Sequence, residues 1–272
     1  MEDNKGQLGF VAIIGGGKMG EAILSGLINV VGFDLQNLAV AEPSEERCEF
    51  LSKQYGVQCF TDGRDIMHPT TVILAVKPQV LREVAMGLAK AADFDPARVV
   101  TIAAGITTQT VSECFPDCLA VRVMPNLALS VSAGMSVVAG AKGVPAQEVE
   151  LVRDMFASMG EALIIPEEQI DVAMSVSGSG PAFFALLAEE LAAAAVQNGL
   201  SPEISAILAR QTLIGAGLYL DKNGVQPQEL RHSVTSPNGT TQAAIESFVA
   251  QDFASIVQTA FKACIQRAKE LA

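Results

Sequence analysis

The stretch Gly9–Gly20, GFVAIIGGGKMG, decides the fold of the first half of the chain. Its first part, Gly9–Gly15, is an apolar run that ends in glycine, which is typical of a buried strand in a parallel sheet. From Lys18 to Val31, apolar residues recur every four positions, as they do on one face of a helix. Strand, glycine-rich turn and helix together predict the first unit of an α/β domain.

The turn itself, Gly15-Gly16-Gly17-Lys18-Met19-Gly20, fits the pattern G-x-G-x-x-G in the strand–turn–helix setting of a dinucleotide site. We expect Gly15 to permit the tight turn, Gly17 to let the backbone approach a pyrophosphate, and Gly20 to let helix and strand pack closely. The pyrophosphate then lies at the helix N-terminus, where free N–H groups and the dipole favour negative charge. A purely structural glycine turn is the alternative.

An acidic residue follows the second predicted strand. Glu42 can accept hydrogen bonds from the adenosine ribose hydroxyls and would repel a 2′-phosphate, which favours NAD. Ser44, a candidate helix N-cap, and Arg47 lie near enough in sequence to keep NADP open. A solvated surface glutamate is the alternative for Glu42.

The alternation of strand and helix continues to about residue 165 and predicts a Rossmann-like, doubly wound parallel sheet. After Pro166 no strand is evident, so we expect one domain over residues 1–166 and an all-α domain over 167–272. The predicted strands are Gly9–Gly15, Leu38–Ala41, Val57–Phe60, Thr71–Val76, Val99–Ile102, Leu119–Val123, Met135–Ala139 and Leu163–Ile165.

The second half contains a helix, Pro181–Gln197, that is apolar around nearly its whole circumference. Such a helix must be buried, and with few residues left in the chain we expect a second subunit to cover it. Ser201-Pro202 predicts the start of the next helix, and the last helix carries an apolar stripe from Phe253 to Ala268.

Three further predicted strands end in short segments, AVKP at 75–78, IAAG at 102–105 and RVMPN at 122–126. The carboxyl ends of parallel strands form the ligand crevice of open α/β sheets, so we expect one shared cofactor cleft. The candidate cofactor contacts there are Ala75, Val76, Lys77, Pro78, Ala103, Ala104, Gly105, Met124, Pro125 and Asn126.

Two helix starts in the second half are candidates for holding a small anion. The segment at 176–181, VSGSGP, offers Ser179, Gly180 and Pro181, although ordinary helix capping is equally open. The segment at 236–241, SPNGTT, places two hydroxyls where they can cradle a carboxylate, and Thr241 can donate a proton or a hydrogen bond. The candidate residues of that segment are Asn238, Gly239, Thr240 and Thr241.

Composition limits the function classes. The chain has 272 residues and a mass of 28.5 kDa. Its 50% content of hydrophobic residues excludes a disordered chain. Its formal net charge of −12 makes nucleic-acid binding unexpected, because it repels the phosphate backbone. We predict no membrane span and no signal peptide. Five cysteines without paired spacing indicate reduced thiols in the cytoplasm. No metal-ligand cluster is evident, and His68 and His232 are isolated, so the chemistry should come mainly from the cofactor.

Taken in order, these motifs resemble the pyrroline-5-carboxylate reductase family nearly end to end. The residues that carry the resemblance are Ile14–Gly20, AVKP, IAAG, RVMPN, VSGSGPA at 176–182 and SPNGTT. Two departures are visible: Leu127-Ala128 stand where the family has Thr-Pro, and Asn238 stands at a glycine position. Asn tolerates positive φ better than most residues, so we expect the loop to keep its geometry.

The resemblance implies a Rossmann domain followed by a helical domain for substrate binding and dimerisation, with a homodimer or a larger ring such as a decamer. It implies reduction of 1-pyrroline-5-carboxylate to L-proline by NADPH or NADH, the final step of proline biosynthesis. Thr240 and Thr241 would hold the substrate carboxylate or contact the ring nitrogen, and Ser179 with its neighbours would shape the pocket. Met124, Pro125 and Asn126 would lie near the nicotinamide.

Two other functions remain open on the sequence. A 3-hydroxyacid dehydrogenase of the 3-hydroxyisobutyrate type shares the domain plan, but that family has a lysine where this chain has Phe184. A non-catalytic redox sensor that binds a dinucleotide is the second alternative, although a sensor has no need of a carboxylate cradle.

Overall fold

The computed structural model of this protein describes residues 6–271. The prediction that there is no signal peptide depends partly on residues 1–5, and these lie outside the described residues. Within it, eight strands form one sheet in the order β3-β2-β1-β4-β5-β6-β7-β8. They are β1 Val11–Ile14, β2 Leu38–Ala41, β3 Gln58–Phe60, β4 Thr71–Leu74, β5 Arg98–Thr101, β6 Leu119–Met124, β7 Gly134–Gly140 and β8 Gly160–Ile164. Every predicted strand is therefore confirmed, with ends shifted by a few residues.

The strand order reverses beside β1, because the chain runs outward through β2 and β3 and then returns to place β4 on the other side of β1. This reversal is the topological switch point at which open α/β sheets bind ligands. The carboxyl ends of β1 and β4 meet there, after Ile14 and Leu74, whose Cα atoms are register partners.

The sheet is mostly parallel, as predicted, and one strand departs from the parallel arrangement. β7 runs antiparallel to β6, whereas all other neighbouring pairs, including β7 with β8, are parallel. Nine residues, 125–133, join β6 to β7, and part of them forms a short 3-10 helix, Leu127–Val131. A parallel connection needs a crossover of about a dozen residues or more, so this short segment can only turn back.

The helices lie close to their predicted places. They are α1 Lys18–Asn29, α2 Glu45–Tyr55, α3 Pro78–Leu88, α4 Thr108–Cys114, α5 Ala146–Ala157, α6 Ile170–Ser177, α7 Gly180–Gln197, α8 Pro202–Asn223, α9 Pro227–Ser233, α10 Thr240–Ala250 and α11 Phe253–Leu271. The predicted N-caps are confirmed, since the Ser44 side chain accepts from Arg47 N and the Ser201 side chain accepts from Ile204 N. A short 3-10 turn, Gly63–Asp65, follows β3.

Helices cover both faces of the sheet, and the strands are accordingly apolar on both sides. Val11 and Ile13 of β1 belong to a buried cluster with side chains of α1 and α5, whereas Ala12 and Ile14 belong to a second cluster with side chains of α3. Alternate residues of a strand point to opposite faces, so a strand buried on both faces reads as a continuous apolar run. The strands that lead to the carboxyl edge are therefore buried on both faces.

The chain divides into two compact units. The first unit contains the sheet and extends to Ser179, and it also includes the end of α11 from Cys264 onward. The second unit spans Gly180–Ala263. The predicted boundary after residue 166 stays a prediction.

In the second unit α7 packs on α8, yet the side chains of α7 are largely exposed in the single chain. By length and composition, the helical stretch Glu167–Gln197 is long and apolar enough to cross a membrane.

Candidate dinucleotide-binding and active site

The glycine turn after β1 is shaped by close backbone contacts. Gly15 has a φ of +110°, and a Cβ at this position would lie 2.7 Å from the carbonyl oxygen of Ala75 in the chain following β4. A Cβ on Gly20 would overlap the carbonyl oxygen of Gly15. The turn therefore needs glycine at both positions, for the reasons expected from the pattern: a sharp exit from the strand and close packing of α1 on it.

Gly17 differs from these two glycines, because a Cβ there would meet no protein atom within 4 Å. It is the N-cap of α1, its φ is −67°, and no side chain caps the helix at this end. The first N–H groups of α1 thus have no capping side chain, beside space that the protein leaves open. This geometry fits the pyrophosphate of a dinucleotide, which accepts hydrogen bonds from such groups.

Glu42, at the end of β2, is tied to the glycine turn. Its Oε2 accepts from Gly16 N over 2.9 Å, and its Oε1 accepts from Ser44 N over 3.1 Å. Arg47 binds the same residue through its carbonyl group, since the Arg47 Nε donates to Gly16 O over 2.8 Å. The sequence predicted Glu42 as a ribose contact, and the structure adds that this carboxylate also holds the turn in place.

Arg47 is itself held by Glu21 in the first turn of α1. The two side chains form an ion pair, and the Tyr55 hydroxyl donates to the second carboxylate oxygen of Glu21 over 2.9 Å. Although burial opposes ionisation, the hydrogen bonds from Arg47 and Tyr55 lower the pKa of Glu21 below its ordinary value. A charged Glu21 keeps Arg47 beside the glycine turn rather than free in solvent.

A cavity of about 480 Å³ opens beside the switch point, at the carboxyl ends of β1 and β2 and against α3. Glu42, Asp62 and Arg64 contribute polar groups to its lining, and Val80 and Val84 contribute apolar ones. The hydrogen bonds from Arg64 lower the pKa of Asp62 to about 2, so the Asp62–Arg64 pair is charged at neutral pH. Sequence reasoning missed this pair, and the position of the pair just after β3 was the available signal.

The other cofactor candidates also lie at this edge. Lys77 is exposed at the N-cap of α3, with Pro78 in the first turn, and Gly105 adopts a φ of +77° after β5. Because β2, β1, β4, β5 and β6 are parallel neighbours, their carboxyl ends meet along one edge of the sheet. The structure thus brings the segments at 15–20, 42–44, 75–78, 103–105 and 124–126 to one edge, while the individual contacts with a cofactor stay predictions.

Asn126 is buried and its side chain is occupied within the protein. Its Nδ2 donates to Ser177 O over 2.9 Å, and its Oδ1 accepts from Ala128 N and Met135 N, each over 3.2 Å. Asn126 is also the N-cap of the 3-10 helix in which Leu127 and Ala128 stand. The Ala128 N–H that a proline would lack is therefore used here to order the turn after β6.

The turn after α6 carries Ser179. The Ser177 hydroxyl donates back to Ala173 O over 3.1 Å, and the Ser179 hydroxyl lies 3.1 Å from Cys264 Sγ. Gly178 N and Ser179 N both donate to Met174 O. Both hydroxyls thus have partners within the first unit, and the role of Ser179 toward a substrate stays a prediction.

The second candidate segment begins α10. Asn238 has a φ of +58°, which confirms that Asn can adopt the backbone of a glycine position here, and its N–H donates to Gln242 Oε1 over 2.8 Å. Gly239 is the N-cap of α10 with no side-chain cap. Thr240 is exposed and Thr241 half-buried in the first turn. An open helix N-terminus with two hydroxyls suits a carboxylate, as the sequence predicted, although no contact in the structure tests these roles.

The remaining histidine, cysteine and acidic side chains were candidates for a metal or thiol centre. Among residues 6–271, no group of three or more His, Cys, Asp or Glu side chains is placed to hold a metal ion. All five cysteines are free. His68 lies exposed beside Asp93 and Asp95, and the hydrogen bond to Asp95 raises the pKa of His68.

Comparison with known proteins finds one family model for each part of the chain. A family model described as pyrroline-5-carboxylate reductase dimerisation matches residues 167–271, and one described as NADP oxidoreductase coenzyme F420-dependent matches residues 10–105. The pyrroline-5-carboxylate reductase of Synechocystis sp. is 37% identical over 262 residues, which are 96% of this chain and 97% of that protein.

Solved structures agree with this similarity. A pyrroline-5-carboxylate reductase from Coxiella burnetii superposes with a TM-score of 0.87 at 31% identity, over 97% of this chain and 99% of that one. The crystal structure of Plasmodium falciparum pyrroline carboxylate reductase with NADP bound gives 0.83 at 27% identity, over 97% and 98%. The resemblance carried by the motifs is thereby confirmed, and the chain belongs to the pyrroline-5-carboxylate reductase family of NAD(P)H-dependent oxidoreductases.

Proposed function

We propose that this chain reduces 1-pyrroline-5-carboxylate to L-proline with NADPH or NADH, as the final step of proline biosynthesis. The observation that carries the proposal is the open, uncapped N-terminus of α1 at Gly17, placed at the switch point of the sheet. Similarity over 96% of the chain to proteins named pyrroline-5-carboxylate reductase supports the choice of substrate.

The glycine turn holds the nucleotide in this proposal. The N–H groups after Gly17 bind the pyrophosphate, Glu42 contacts the adenosine ribose, and the segments after β4, β5 and β6 contact the nicotinamide side. When bound, the reduced nicotinamide supplies a hydride. The chain itself supplies binding and orientation.

The imine substrate needs little further activation from the protein. A protonated C=N carbon is already electrophilic, so holding the ring in the right orientation contributes most of the catalysis. Thr240 and the N–H groups of α10 hold the substrate carboxylate, and Thr241 hydrogen-bonds to the ring nitrogen. Ser179, Gly180 and Pro181 shape the pocket wall.

The exposed apolar surface of α7 supports assembly as a homodimer. Phe184 is 61% exposed and Leu186 56% exposed, and the dimerisation family model covers this helix. A second chain rather than lipid covers the surface in our proposal, because the family model that matches this region describes dimerisation. A decamer of such dimers and a cytoplasmic location are further parts of the proposal.

The alternative of a 3-hydroxyacid dehydrogenase gains no support from the geometry. Phe184, at the position of that family's lysine, offers no base for removing a hydroxyl proton. The relatives from Synechocystis sp. and Corynebacterium melassecola are named as reductases, which favours an enzyme over a non-catalytic sensor.

Following NADH and NADPH absorbance with purified protein tests the proposal. We expect oxidation of the nucleotide only when 1-pyrroline-5-carboxylate is present, with L-proline formed in equal amount. The folded variant Gly17→Val serves as the matched inactive control. Nucleotide binding without imine-dependent oxidation would contradict the proposal, as would oxidation that requires a 3-oxoacid instead.

A further inference from the structure

Helix α6 is fastened to the region of β6 at both of its ends. At its first turn, Asp171 Oδ1 accepts from Arg122 Nη2 over 2.6 Å. At its last residue, the Ser177 carbonyl accepts from Asn126 Nδ2 over 2.9 Å. These two bonds hold an eight-residue helix that leads directly into the turn carrying Ser179.

Arg122 is the centre of a larger buried network. Its side chain is 3% exposed, and its Nη1 lies 4.0 Å from Glu167 Oε1. Glu167 in turn accepts from the backbone N and the Oγ1 of Thr108, each over 2.6 Å. Thr108 follows the segment after β5, so the network connects the ends of β5 and β6 with the start of α6.

The network is poorly explained as a source of stability alone. Removing a guanidinium from water is costly, a buried ion pair gives little net stability compared with apolar side chains, and Arg122 Nε has no hydrogen-bond partner. The network does fix the face of β6 against which α6 lies. Arg122 and Met124 project from the same face of β6, and Met124 packs in one cluster with Ile170 of α6.

We propose that Arg122 and Asn126 form a two-point clamp on α6 that sets the position of the Ser177–Ser179 turn, with Arg122 as a positioning residue for the imine substrate. The inference rests on the proposed function. The clamp acts on substrate orientation and not on the nucleotide pyrophosphate, because the glycine turn belongs to β1, three strands away from β6 in the sheet.

The chain provides a matched control at the opposite edge of the sheet. Arg98, the first residue of β5, pairs with Glu148, and their side chains are 6% and 29% exposed. The side chains of Arg122 and Asp171 are 3% and 27% exposed, so the two ion pairs are similarly buried. Asp171→Asn and Glu148→Gln therefore each remove one charge from a similar ion pair, but only the first pair holds the turn of Ser179.

The experiment compares both variants with the wild-type protein in imine kinetics, NADPH binding and amide hydrogen exchange. For Asp171→Asn we expect a fall of about tenfold in kcat/KM for the imine, an NADPH Kd within about twofold, and faster exchange over residues 172–179. Asp171→Glu should recover part of the loss, and Glu148→Gln should stay within about twofold of wild type in imine kinetics.

An unchanged kcat/KM in Asp171→Asn, an equal fall in Glu148→Gln, or unchanged exchange over 172–179 would each overturn the clamp. If the wild-type protein does not reduce the imine at all, the proposed function fails instead. The exchange measurement then still decides whether Asp171 and Arg122 hold α6.

Discussion

Gly16 N donates to Glu42 Oε2 over 2.9 Å, and this bond joins the glycine turn after β1 to the end of β2. Arg47 Nε binds Gly16 O on the other side of the same residue. The Gly16 backbone is thus held from both sides by an acidic and a basic side chain. A pre-ordered turn loses less conformational entropy when the nucleotide binds, so we expect Glu42 to contribute to affinity beyond any contact with the ribose.

We predict that Glu42→Ala weakens NADH binding more than NADPH binding. Both nucleotides lose the ordered Gly16 turn, but only NADH loses a carboxylate acceptor for its free 2′-hydroxyl, while NADPH is relieved of repulsion from its 2′-phosphate. A loss of about tenfold in NADH affinity corresponds to one hydrogen bond to a charged group. Fluorescence titration with each nucleotide measures this, and equal losses would mean that Glu42 acts on the turn alone.

We predict that Gly17→Val keeps the fold but lowers nucleotide affinity by about 100-fold or more, as expected from the loss of two hydrogen bonds to phosphate. The backbone at Gly17 lies in an ordinary region, and a Cβ there meets no protein atom, so the valine occupies only the space left for the pyrophosphate. Calorimetric titration with NADPH on a protein of unchanged circular dichroism provides the measurement.

Gly20→Ala is the contrasting variant for this prediction. Its Cβ would overlap the Gly15 carbonyl oxygen, so we expect a loss of about 1–3 kcal/mol in the free energy of unfolding. Urea unfolding of the two variants should separate a binding defect at Gly17 from a packing defect at Gly20. Normal NADPH affinity in folded Gly17→Val would refute the pyrophosphate assignment.

We predict that Thr241→Val preserves nucleotide affinity and lowers turnover of the imine by about 10-fold to 100-fold, because the pocket loses a hydrogen bond to the substrate. Thr235→Val, just before that segment, is the matched control, since the Thr235 hydroxyl already donates to Arg231 O. Steady-state kinetics with varied imine concentration test this. Equal turnover in Thr241→Val and Thr235→Val would remove Thr241 from the reaction.

The stability of the sheet unit should depend on pH through His68. The bond to Asp95, with Asp93 also nearby, raises the pKa of His68 above its ordinary value of 6.5. A raised folded-state pKa stabilises the fold below pH 6.5, and the contribution is lost as pH rises through the folded value. The variant His68→Asn keeps a residue that tolerates the φ of +50°. We expect it to be slightly less stable than wild type near pH 5.5 and equal to it at high pH, because an exposed pair contributes little. Urea midpoints across this range provide the check, and a difference that does not vary with pH would contradict it.

The sequence by itself determined the features that depend on neighbouring residues. These features are the glycine pattern between an apolar run and a four-residue period, the N-caps Ser44 and Ser201, and the positive φ of Asn238. Each is set within a few residues, so a local pattern suffices to predict it. The family motifs were local in the same sense, and their order along the chain gave the resemblance that the comparisons confirm.

Only the tertiary structure decided what depends on distant parts of the chain. The reversal of β7 follows from a short connection whose consequence appears only once β6 has a neighbour. The bonds of Arg122 with Asp171, 49 residues away, and of Glu42 with Gly16, 26 residues away, join segments whose sequences carry no mark of each other. A side chain's hydrogen-bond partner is set by where the whole sheet places it, and for that reason these contacts are invisible in the sequence.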